Sequence, residues 1–465
     1  MKNKPVLFDM SAKPRHTKWY LKPIGNLMCK PEYKKHKPII TYVNTENIKG
    51  PFLLLCNHNS FFDFKVAHTL LKNNEANYVL QRVEFTKENK KNHTIIAPQM
   101  APIQFEFVES VFRSSGYRMK LLKQATREDI ECGLKFVNND ACFPSIVVVG
   151  QMINAILSGE VDPENVTLAI TQTGGGCRAT NYVAFLRKAL KEAGYPQIPV
   201  IAISAQQFEK NEGLKYTPSF ILNAVRALCA GDMVSTLLLR TRPYEKVPGS
   251  ANALYMYINR IGRKLFNKTG FADDLTKRYD EIMPNNYWDK SPEEKKRIRD
   301  CLADIGVDLE NIPSIKSYRK FVKFAVEKFD KLPLQDIPRK PRVGLVGEIL
   351  VKYHPNANNN LVGIIEEEGG EAVVPSLIDF FEYTFVNKIF NYRHLSGKWS
   401  EMMVNSGLLK FIEKYRETCR DACRKSKRFT PDHYIEETAT NAESIISIGN
   451  QCGEGWLLTG EMIDL

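Results

Sequence analysis

Residues 165–204, NVTLAITQTGGGCRATNYVAFLRKALKEAGYPQIPVIAIS, give the clearest indication of the fold class. An apolar run ends at a row of three glycines, and apolar residues at helical spacing then continue as far as Gly194. A second apolar run follows at 198–203. A strand, an amphipathic helix and a second strand in this order predict a β-α-β unit with parallel strands.

The same order recurs on both sides of this unit. HTIIAPQM (93–100), APIQFEFVESVFRSSGY (101–117) and RMKLL (118–122) predict a strand, a helix and a strand. Nearer the C-terminus, RVGLVGEILV (342–351), NNNLVGIIEEEGG and EAVVP repeat the order, and AESIISIGNQ (442–451) predicts one further strand. Three or four such units predict an α/β protein whose parallel sheets are covered by helices.

Composition divides the chain into four predicted segments. Residues 1–74 form a basic block, and a polar stretch separates them from a first α/β lobe at 75–205. Residues 206–338 have a mainly helical, charged pattern, in which SPEEKKRIRDCLADIG begins with a Ser cap and an acidic first turn. A second lobe follows at 339–465. We therefore expect two α/β lobes with a helical insertion between them.

The composition is that of an ordinary globular protein, with 43% hydrophobic and 25% charged residues. The net charge is +12, and the stretch 13–38 holds much of the excess. Such a stretch favours weak contact with a membrane surface or a phosphorylated substrate, and a solvated basic segment explains it equally well. Because we find no signal-peptide core, no membrane-spanning run and no nucleic-acid motif, we expect a cytoplasmic protein without a transmembrane segment or a nucleic-acid partner.

The segment TGGGCR is the strongest candidate for a functional site, because it follows a predicted strand and precedes a predicted helix. The glycines let the backbone approach a ligand, and a helix N-terminus favours bound anions and a metal-ligating thiolate at Cys177. The predicted anion- or substrate-binding residues here are Gly174, Gly175, Gly176 and Arg178. The alternative is a glycine turn with a buried cysteine.

Further candidate residues stand at the ends of other predicted elements. Cys142 lies two residues before Pro144 at the head of a predicted helix. Alone, such a cysteine is more often a core residue, but at the mouth of the same sheet as Cys177 it becomes a second candidate metal ligand. Glu348 and His354 end or follow a predicted strand, where they either bind substrate or form a polar turn.

The stretch LLLCNHNSFFDF (53–64) places His58 and Asp63 five positions apart after an apolar run. It resembles the H-x4-D motif of glycerolipid acyltransferases of the 1-acylglycerol-3-phosphate type. The resemblance implies that His58 is the general base for an acceptor hydroxyl and that Asp63 orients it. The acidic-glycine block that binds the acceptor phosphate in that family does not follow, so the segment resembles a truncated acyltransferase.

Residues 76–465 resemble the C-terminal region of the 2-hydroxyacyl-CoA dehydratase activase-related proteins, which are relatives of the 2-hydroxyglutaryl-CoA dehydratase components. The stretches that carry the resemblance are ITQTGGGCRATNYVAFLRKAL, GNQCGEGWLLTGEM and residues 82–109, 133–151 and 343–359. The resemblance implies Rossmann-like lobes and a 4Fe–4S cluster with Cys142 and Cys177 as ligands. Cys452 is the candidate third ligand, because a cluster usually takes more than two protein thiolates.

The second resemblance also implies a function. The chain is expected to be an iron–sulfur component, of the lyase type, that acts on an acyl-CoA with a separate ATP-dependent activase or dehydratase subunit. The family continues beyond GEGWLLTGEM, so the second lobe is expected to be truncated. The alternatives are a lysophospholipid acyltransferase that uses His58 and Asp63, and a non-catalytic accessory subunit.

Overall fold

The computed structural model describes residues 82–122, 125–172, 178–203, 209–267, 287–451 and 453–465. The acyltransferase-like segment with His58 and Asp63 lies outside the described residues, as do the glycines 174–176, Cys177 and Cys452. The described residues of Val83–Arg393 and Gly397–Leu465 belong to one compact unit.

Four short strands form a parallel sheet in the order β2-β1-β3-β4. The strands are β1 (Thr94–Ala97), β2 (Met119–Leu121), β3 (Val166–Thr171) and β4 (Val200–Ile203). β1 lies inside the sheet, where Ile95 is in register with Met119 of β2 and with Thr167 of β3. The prediction of an α/β fold with a parallel sheet is confirmed.

Helices connect these strands. They are α2 (Pro102–Ser114), α3 (Arg127–Phe136), α4 (Phe143–Leu157) and α5 (Tyr182–Glu192), and a further helix, α1 (Lys87–Asn92), precedes β1. Thr126 caps α3 by accepting a hydrogen bond from the backbone N–H of Asp129. Pro102 and Pro144 lie in the first turns of α2 and α4, where a backbone N–H has no intrahelical partner to lose.

Alternate residues of the strands face two different cores, as the two-residue period of a strand requires. One core contains Phe107 of α2 together with the strand residues Ile95, Ala97, Ala169 and Ile201. The other contains residues of α4 and α5 together with the strand residues Ile96, Leu168, Ile170, Val200 and Ala202. α2 therefore covers one face of the sheet, and α4 and α5 cover the other.

Helices α3 and α4 pack backbone to backbone through two glycines. A Cβ atom on Gly133 would lie 2.0 Å from the carbonyl oxygen of Ile146. A Cβ atom on Gly150 would lie 2.0 Å from the carbonyl oxygen of Asp129. This contact fixes α4, and with it the residue that precedes its first turn, against α3.

The described residues between 209 and 338 are mainly helical. The helices are α6 (Pro218–Leu239), α7 (Ser250–Phe266), α8 (Pro292–Ala303) and α9 (Tyr318–Lys331). The predicted Ser cap is confirmed, since the hydroxyl of Ser291 accepts a hydrogen bond from the backbone N–H of Glu294. These helices share a core with α2, because the ring of Phe107 contacts the rings of Phe266 and Phe321.

A second parallel pair consists of β5 (Arg342–Gly344) and β6 (Glu371–Val373). α10 (Ile349–Tyr353) and α11 (Leu361–Glu367) lie between these strands in the chain. The strand predicted over 342–351 is therefore wrong beyond Gly344. Glu348 caps α10 by accepting hydrogen bonds from two backbone N–H groups, and this cap begins a helix where the apolar run predicts strand.

The remaining helices are α12 (Asp379–His394), α13 (Trp399–Arg424), α14 (Ile435–Glu443) and α15 (Gly455–Asp464). The strand predicted over 442–451 is wrong, because α14 ends at Glu443 and turns follow it. Ile445 is 71% exposed, so this short apolar run does not enter a buried sheet. A run of this length does not distinguish a strand from a turn by its pattern alone.

The segment Pro218–Tyr244, which begins with α6, is long and apolar enough to cross a membrane by length and composition. Half of its most apolar window is buried inside the protein, and α6 carries the buried carboxylate of Asp232. A buried core helix meets the same criterion. The absence of a transmembrane segment stays a prediction, as do the segment boundaries near 205 and 338.

Candidate functional site

The carboxyl ends of β1 and β3 form the natural ligand-binding edge of the sheet. The connection that follows β1 lies on the face of α2, whereas the connections on either side of β3 lie on the face of α4 and α5. Because the chain connections run to opposite faces here, the residues that follow Ala97 and Thr171 lie at a topological switch point of the sheet. Parallel α/β proteins bind their ligands at such a point.

Two hydrogen bonds between a side chain and the backbone lie at this edge. The backbone N–H of Gln99 donates a hydrogen bond to Oε1 of Gln151 on α4, at 3.1 Å. Gln172 follows β3, and its Nε2 donates to the backbone carbonyl of Thr180 at 2.9 Å. This second contact joins the two sides of the glycine-containing loop.

Three polar atoms at this edge are buried without a hydrogen-bond partner among the described residues. They are Oε1 of Gln99, Oε1 of Gln172 and Oγ1 of Thr180. Gln99 is only 7% exposed. Buried polar atoms are almost always paired in folded proteins, so these three oxygens are available to a partner outside the described residues. The sequence does not point to these residues, because a glutamine after a strand has no distinctive pattern.

Cys142 is the candidate metal ligand that the structure describes. It is the half-buried N-cap residue of α4, and its sulfur lies 3.0 Å from the phenol oxygen of Tyr182. Tyr182 is buried and begins α5, five residues after Cys177 in the chain. The segment with Cys142 and the segment that follows TGGGCR therefore meet at the same edge of the sheet. Arg178 begins the 3-10 turn Arg178–Asn181 that leads into α5.

Glu348 is a half-buried capping residue. Its Oε2 accepts hydrogen bonds from the backbone N–H groups of Leu350 and Val351, at 2.9 and 3.3 Å. Burial raises the pKa of Glu348 to about 7, and the nearby carboxylate of Glu454 acts in the same direction. The carboxyl group therefore changes its charge near neutral pH. Its role as a helix cap is described, and its role in substrate binding stays a prediction.

His354 is fully buried and faces two backbone N–H groups. Its Nδ1 lies 3.2 Å from the backbone nitrogen of Ala357, and its Nε2 lies 3.4 Å from that of Ala125. Burial lowers the pKa of His354 to about 4, so the ring is neutral at pH 7. Because a neutral imidazole has one acceptor nitrogen, only one of the two contacts is a hydrogen bond. The ring connects the loop after β2 to the end of α10, and it carries no positive charge for an anion at pH 7.

A cavity of about 70 Å³ lies beside the first turn of α2, and Gln104, Arg242 and Lys352 contribute to its lining. Both cations are already paired. Arg242 contacts the carboxylate of Glu366 at 2.7 Å, and Lys352 contacts that of Glu461 at 2.8 Å. A bound anion at this cavity would therefore compete with the carboxylates of Glu366 and Glu461.

Asp232 is a buried carboxylate that is joined to this cavity through Gln104. It accepts hydrogen bonds from Nε2 of Gln104 and from the backbone N–H groups of Leu377 and Ile378, each at 2.9 Å. Burial raises the pKa of Asp232 to about 7. A single acidic residue within the apolar helix α6 is the signal in the sequence that marks it.

The described residues contain no group of three or more His, Cys, Asp or Glu side chains that is placed to hold a metal ion. Of the three cysteines predicted as cluster ligands, only Cys142 lies among the residues that the structure describes. The fit of a cluster therefore depends on Cys142 and on its position opposite the segment that follows Cys177.

Comparison of the chain with protein-family models, with curated proteins and with solved structures gave no match. The two family resemblances of the sequence stay predictions.

Proposed function

We propose that this chain is an iron–sulfur component of a 2-hydroxyacyl-CoA dehydratase-like lyase, with Rossmann-like lobes. A 4Fe–4S cluster would be held by Cys142 and Cys177, with Cys452 as the third ligand. The chain would act on an acyl-CoA together with a separate ATP-dependent activase or dehydratase subunit. The parallel strand order β2-β1-β3-β4 supports the fold part of the proposal.

The contact between Cys142 and Tyr182 carries the proposal. It brings the thiol at the start of α4 to the start of α5, the helix that follows Cys177 by a few residues. The sulfur lies at the carboxyl edge of the sheet, where a ligand is expected. Cys142 is half-buried rather than enclosed, so its sulfur can reach a bound group.

A cluster bound at this edge would supply one-electron transfer and an iron that can bind substrate oxygen. The residues of the chain would then orient the substrate and enclose the cluster. The Tyr182 hydroxyl holds the Cys142 sulfur. The amide oxygens of Gln99 and Gln172 would accept hydrogen bonds from a polar ligand, and the Thr180 hydroxyl would donate or accept one.

Anaerobic reconstitution with iron and sulfide tests the proposal. We expect the wild-type protein to gain acid-labile sulfide and visible charge-transfer absorption, and the variant Cys142→Ala/Cys177→Ala to lose both. Cys301→Ala is the matched control, because Cys301 is buried in α8 within the core on the opposite face of the sheet. A colourless protein whose iron content is the same in all three forms would overturn the proposal.

The acyltransferase alternative rests on His58 and Asp63, which lie outside the described residues. Transfer of an acyl group from acyl-CoA to a lysophosphatidate, lost in His58→Ala, would favour that alternative instead.

A further inference from the structure

A basic depression lies at the opposite edge of the sheet from Cys142, beside the residues that precede β1 and β2. Its volume is about 550 Å³. Three chain segments form it, namely 87–91 in α1, 116–118 before β2 and 212–215 before α6. None of the predicted functional residues lies in it.

The charges of this depression are strongly unbalanced. Its lining contains one carboxylate, Glu212, and the cations Lys87, Lys90, Lys91, Arg118 and Lys215. Glu212 is paired with Lys87 at 2.7 Å. Lys91, Arg118 and Lys215 are exposed, and the part of the chain that the structure describes offers them no carboxylate partner within salt-bridge distance. Like charges held close together repel, so an anion that binds among them gains from all of them.

Two hydrogen bonds hold the segments 85–91, 116–118 and 212–215 together. The backbone N–H of Gly213 donates to the carbonyl of Phe85 at 2.9 Å, and that of Lys215 donates to the phenol oxygen of Tyr117 at 2.8 Å. Gly213 permits the close approach, because a Cβ atom there would lie 2.2 Å from the carbonyl oxygen of Thr86.

One of the cations is also fixed in place. The ammonium group of Lys90 donates to the carbonyl of Ser115 at 3.3 Å and lies 4.0 Å from the centre of the Tyr117 ring. The depression is therefore formed by the packing of three segments, and it does not consist only of mobile side chains on one helix.

We propose that this depression binds a compact polyphosphate anion, that is, two or more adjacent phosphate groups of a free polyphosphate, a nucleotide or a coenzyme. Its volume lies in the range of small-molecule sites, and its cations come from three sides. Lysine and arginine are the side chains that bind phosphate oxygens by charge-assisted hydrogen bonds. The site lies outside the proposed cluster region and does not depend on iron.

Isothermal titration calorimetry with inorganic pyrophosphate tests the proposal on the full-length protein. We expect binding at low ionic strength that weakens as salt is added, because salt screens exposed charges. The variant Lys91→Glu/Arg118→Glu should bind pyrophosphate at least roughly tenfold more weakly, the effect of losing charge-assisted contacts. Lys215→Gln, which removes one charge, should show a smaller loss in the same direction.

Lys296→Glu/Arg297→Glu is the matched control. It changes one exposed lysine and one exposed arginine on α8, so the net charge of the protein changes equally. This control should bind pyrophosphate within about twofold of wild type, since neither residue lines the depression and salt screens exposed charges. Thermal unfolding followed by circular dichroism verifies that all variants fold.

Titration with ADP and with coenzyme A then identifies the source of the phosphates. Tighter binding of either compound than of pyrophosphate, lost in the Lys91/Arg118 variant, assigns the site to a nucleotide or coenzyme. Equal or weaker binding assigns it to a free polyphosphate. Three outcomes would overturn the proposal. The affinity for pyrophosphate would be unchanged in the Lys91/Arg118 variant, or it would fall equally in the Lys296/Arg297 control, or the protein would bind poly-glutamate and not pyrophosphate.

Discussion

The sulfur of Cys142 lies 3.0 Å from the phenol oxygen of Tyr182, although the two residues are 40 positions apart in the chain. Cys142 precedes α4, and Tyr182 begins α5. One hydrogen bond therefore joins the starts of two helices that cover the same face of the sheet. The thiol is held at the edge where the strands present their carboxyl ends.

Removal of this hydrogen bond should change the reactivity of the thiol. In Tyr182→Phe we expect iodoacetamide to alkylate Cys142 roughly threefold to tenfold faster at pH 7.5, because the hydrogen bond of about 1 kcal/mol that holds the sulfur against the phenol is lost. Mass spectrometry of tryptic peptides measures the rate for each cysteine separately.

Tyr195→Phe is the control for this measurement, because Tyr195 follows α5 at its other end. Its alkylation rate at Cys142 should equal that of wild type. An unchanged or slower rate in Tyr182→Phe would show that the phenol does not hold the sulfur in place.

Asp232 should make stability depend on pH. Its pKa is about 7 in the folded protein and about 3.8 in the unfolded chain, so the folded state binds the proton more tightly. This contribution is fully present below the unfolded pKa and is lost as the pH rises through about 7. Its upper limit is roughly 4 kcal/mol, the free-energy equivalent of the difference between these two pKa values.

Urea denaturation between pH 5 and pH 8 measures this effect. In Asp232→Asn we expect a smaller loss of unfolding free energy over this range than in wild type. Some dependence should remain, because burial also raises the pKa values of Glu348 and Glu461 to about 7. If the unfolding free energies of Asp232→Asn and wild type depended on pH in the same way, the raised pKa of Asp232 would be contradicted.

The contribution of the ion pair between Lys352 and Glu461 to the free energy of unfolding should depend on pH. Both side chains are at least nine-tenths buried, and Nζ of Lys352 lies 2.8 and 2.9 Å from the two carboxylate oxygens. Lys352→Met leaves a buried carboxylate without its partner, so we expect a destabilisation of about 3 kcal/mol at pH 8. The loss should shrink at pH 5.5, where Glu461 takes up a proton.

The double variant Lys352→Met/Glu461→Leu is the informative control. It removes both charges, and we expect its unfolding free energy at pH 8 to exceed that of Lys352→Met. A double variant that is less stable than the single one would show that Glu461 has another partner of greater importance.

The glycines between α3 and α4 should tolerate no side chain. Gly133→Ala or Gly150→Ala forces a Cβ atom against a carbonyl oxygen, and we expect a destabilisation of about 2 to 3 kcal/mol. Gly407→Ala in α13 is the control, because nothing lies within 4 Å of its Cβ position. There we expect a gain of up to about 1 kcal/mol from helix propensity. Chemical denaturation measures all three variants.

The sequence predicted the first sheet well, because its strands are buried runs between clear helices. Ser291 and Pro144 indicated where helices start, because N-caps and first-turn prolines depend only on residues a few positions away. The strand predicted over 442–451 failed, because the run around Ile445 is short and its exposure depends on distant packing.

Much of the candidate site could not be predicted, because its contacts are long-range. Asp232 caps the backbone near Leu377, 145 positions away, and no local pattern encodes that partner. Gln99 and Gln172 reach the same edge of the sheet only because β1 and β3 pair side by side. Cys142 was found because its residue type is distinctive, but the sequence did not indicate its contact with Tyr182.

The backbone contact of α3 with α4 bears on how this protein can change over evolutionary time. The distance between α4 and α3 is set by main-chain atoms, which every sequence has, and by two positions that must stay glycine. Other side chains in that layer can be exchanged for ones of similar size without moving the helix. Neighbouring side chains can therefore be substituted while the start of α4, and Cys142 with it, keeps its position. Gly133 and Gly150 should be the last residues between the two helices to vary.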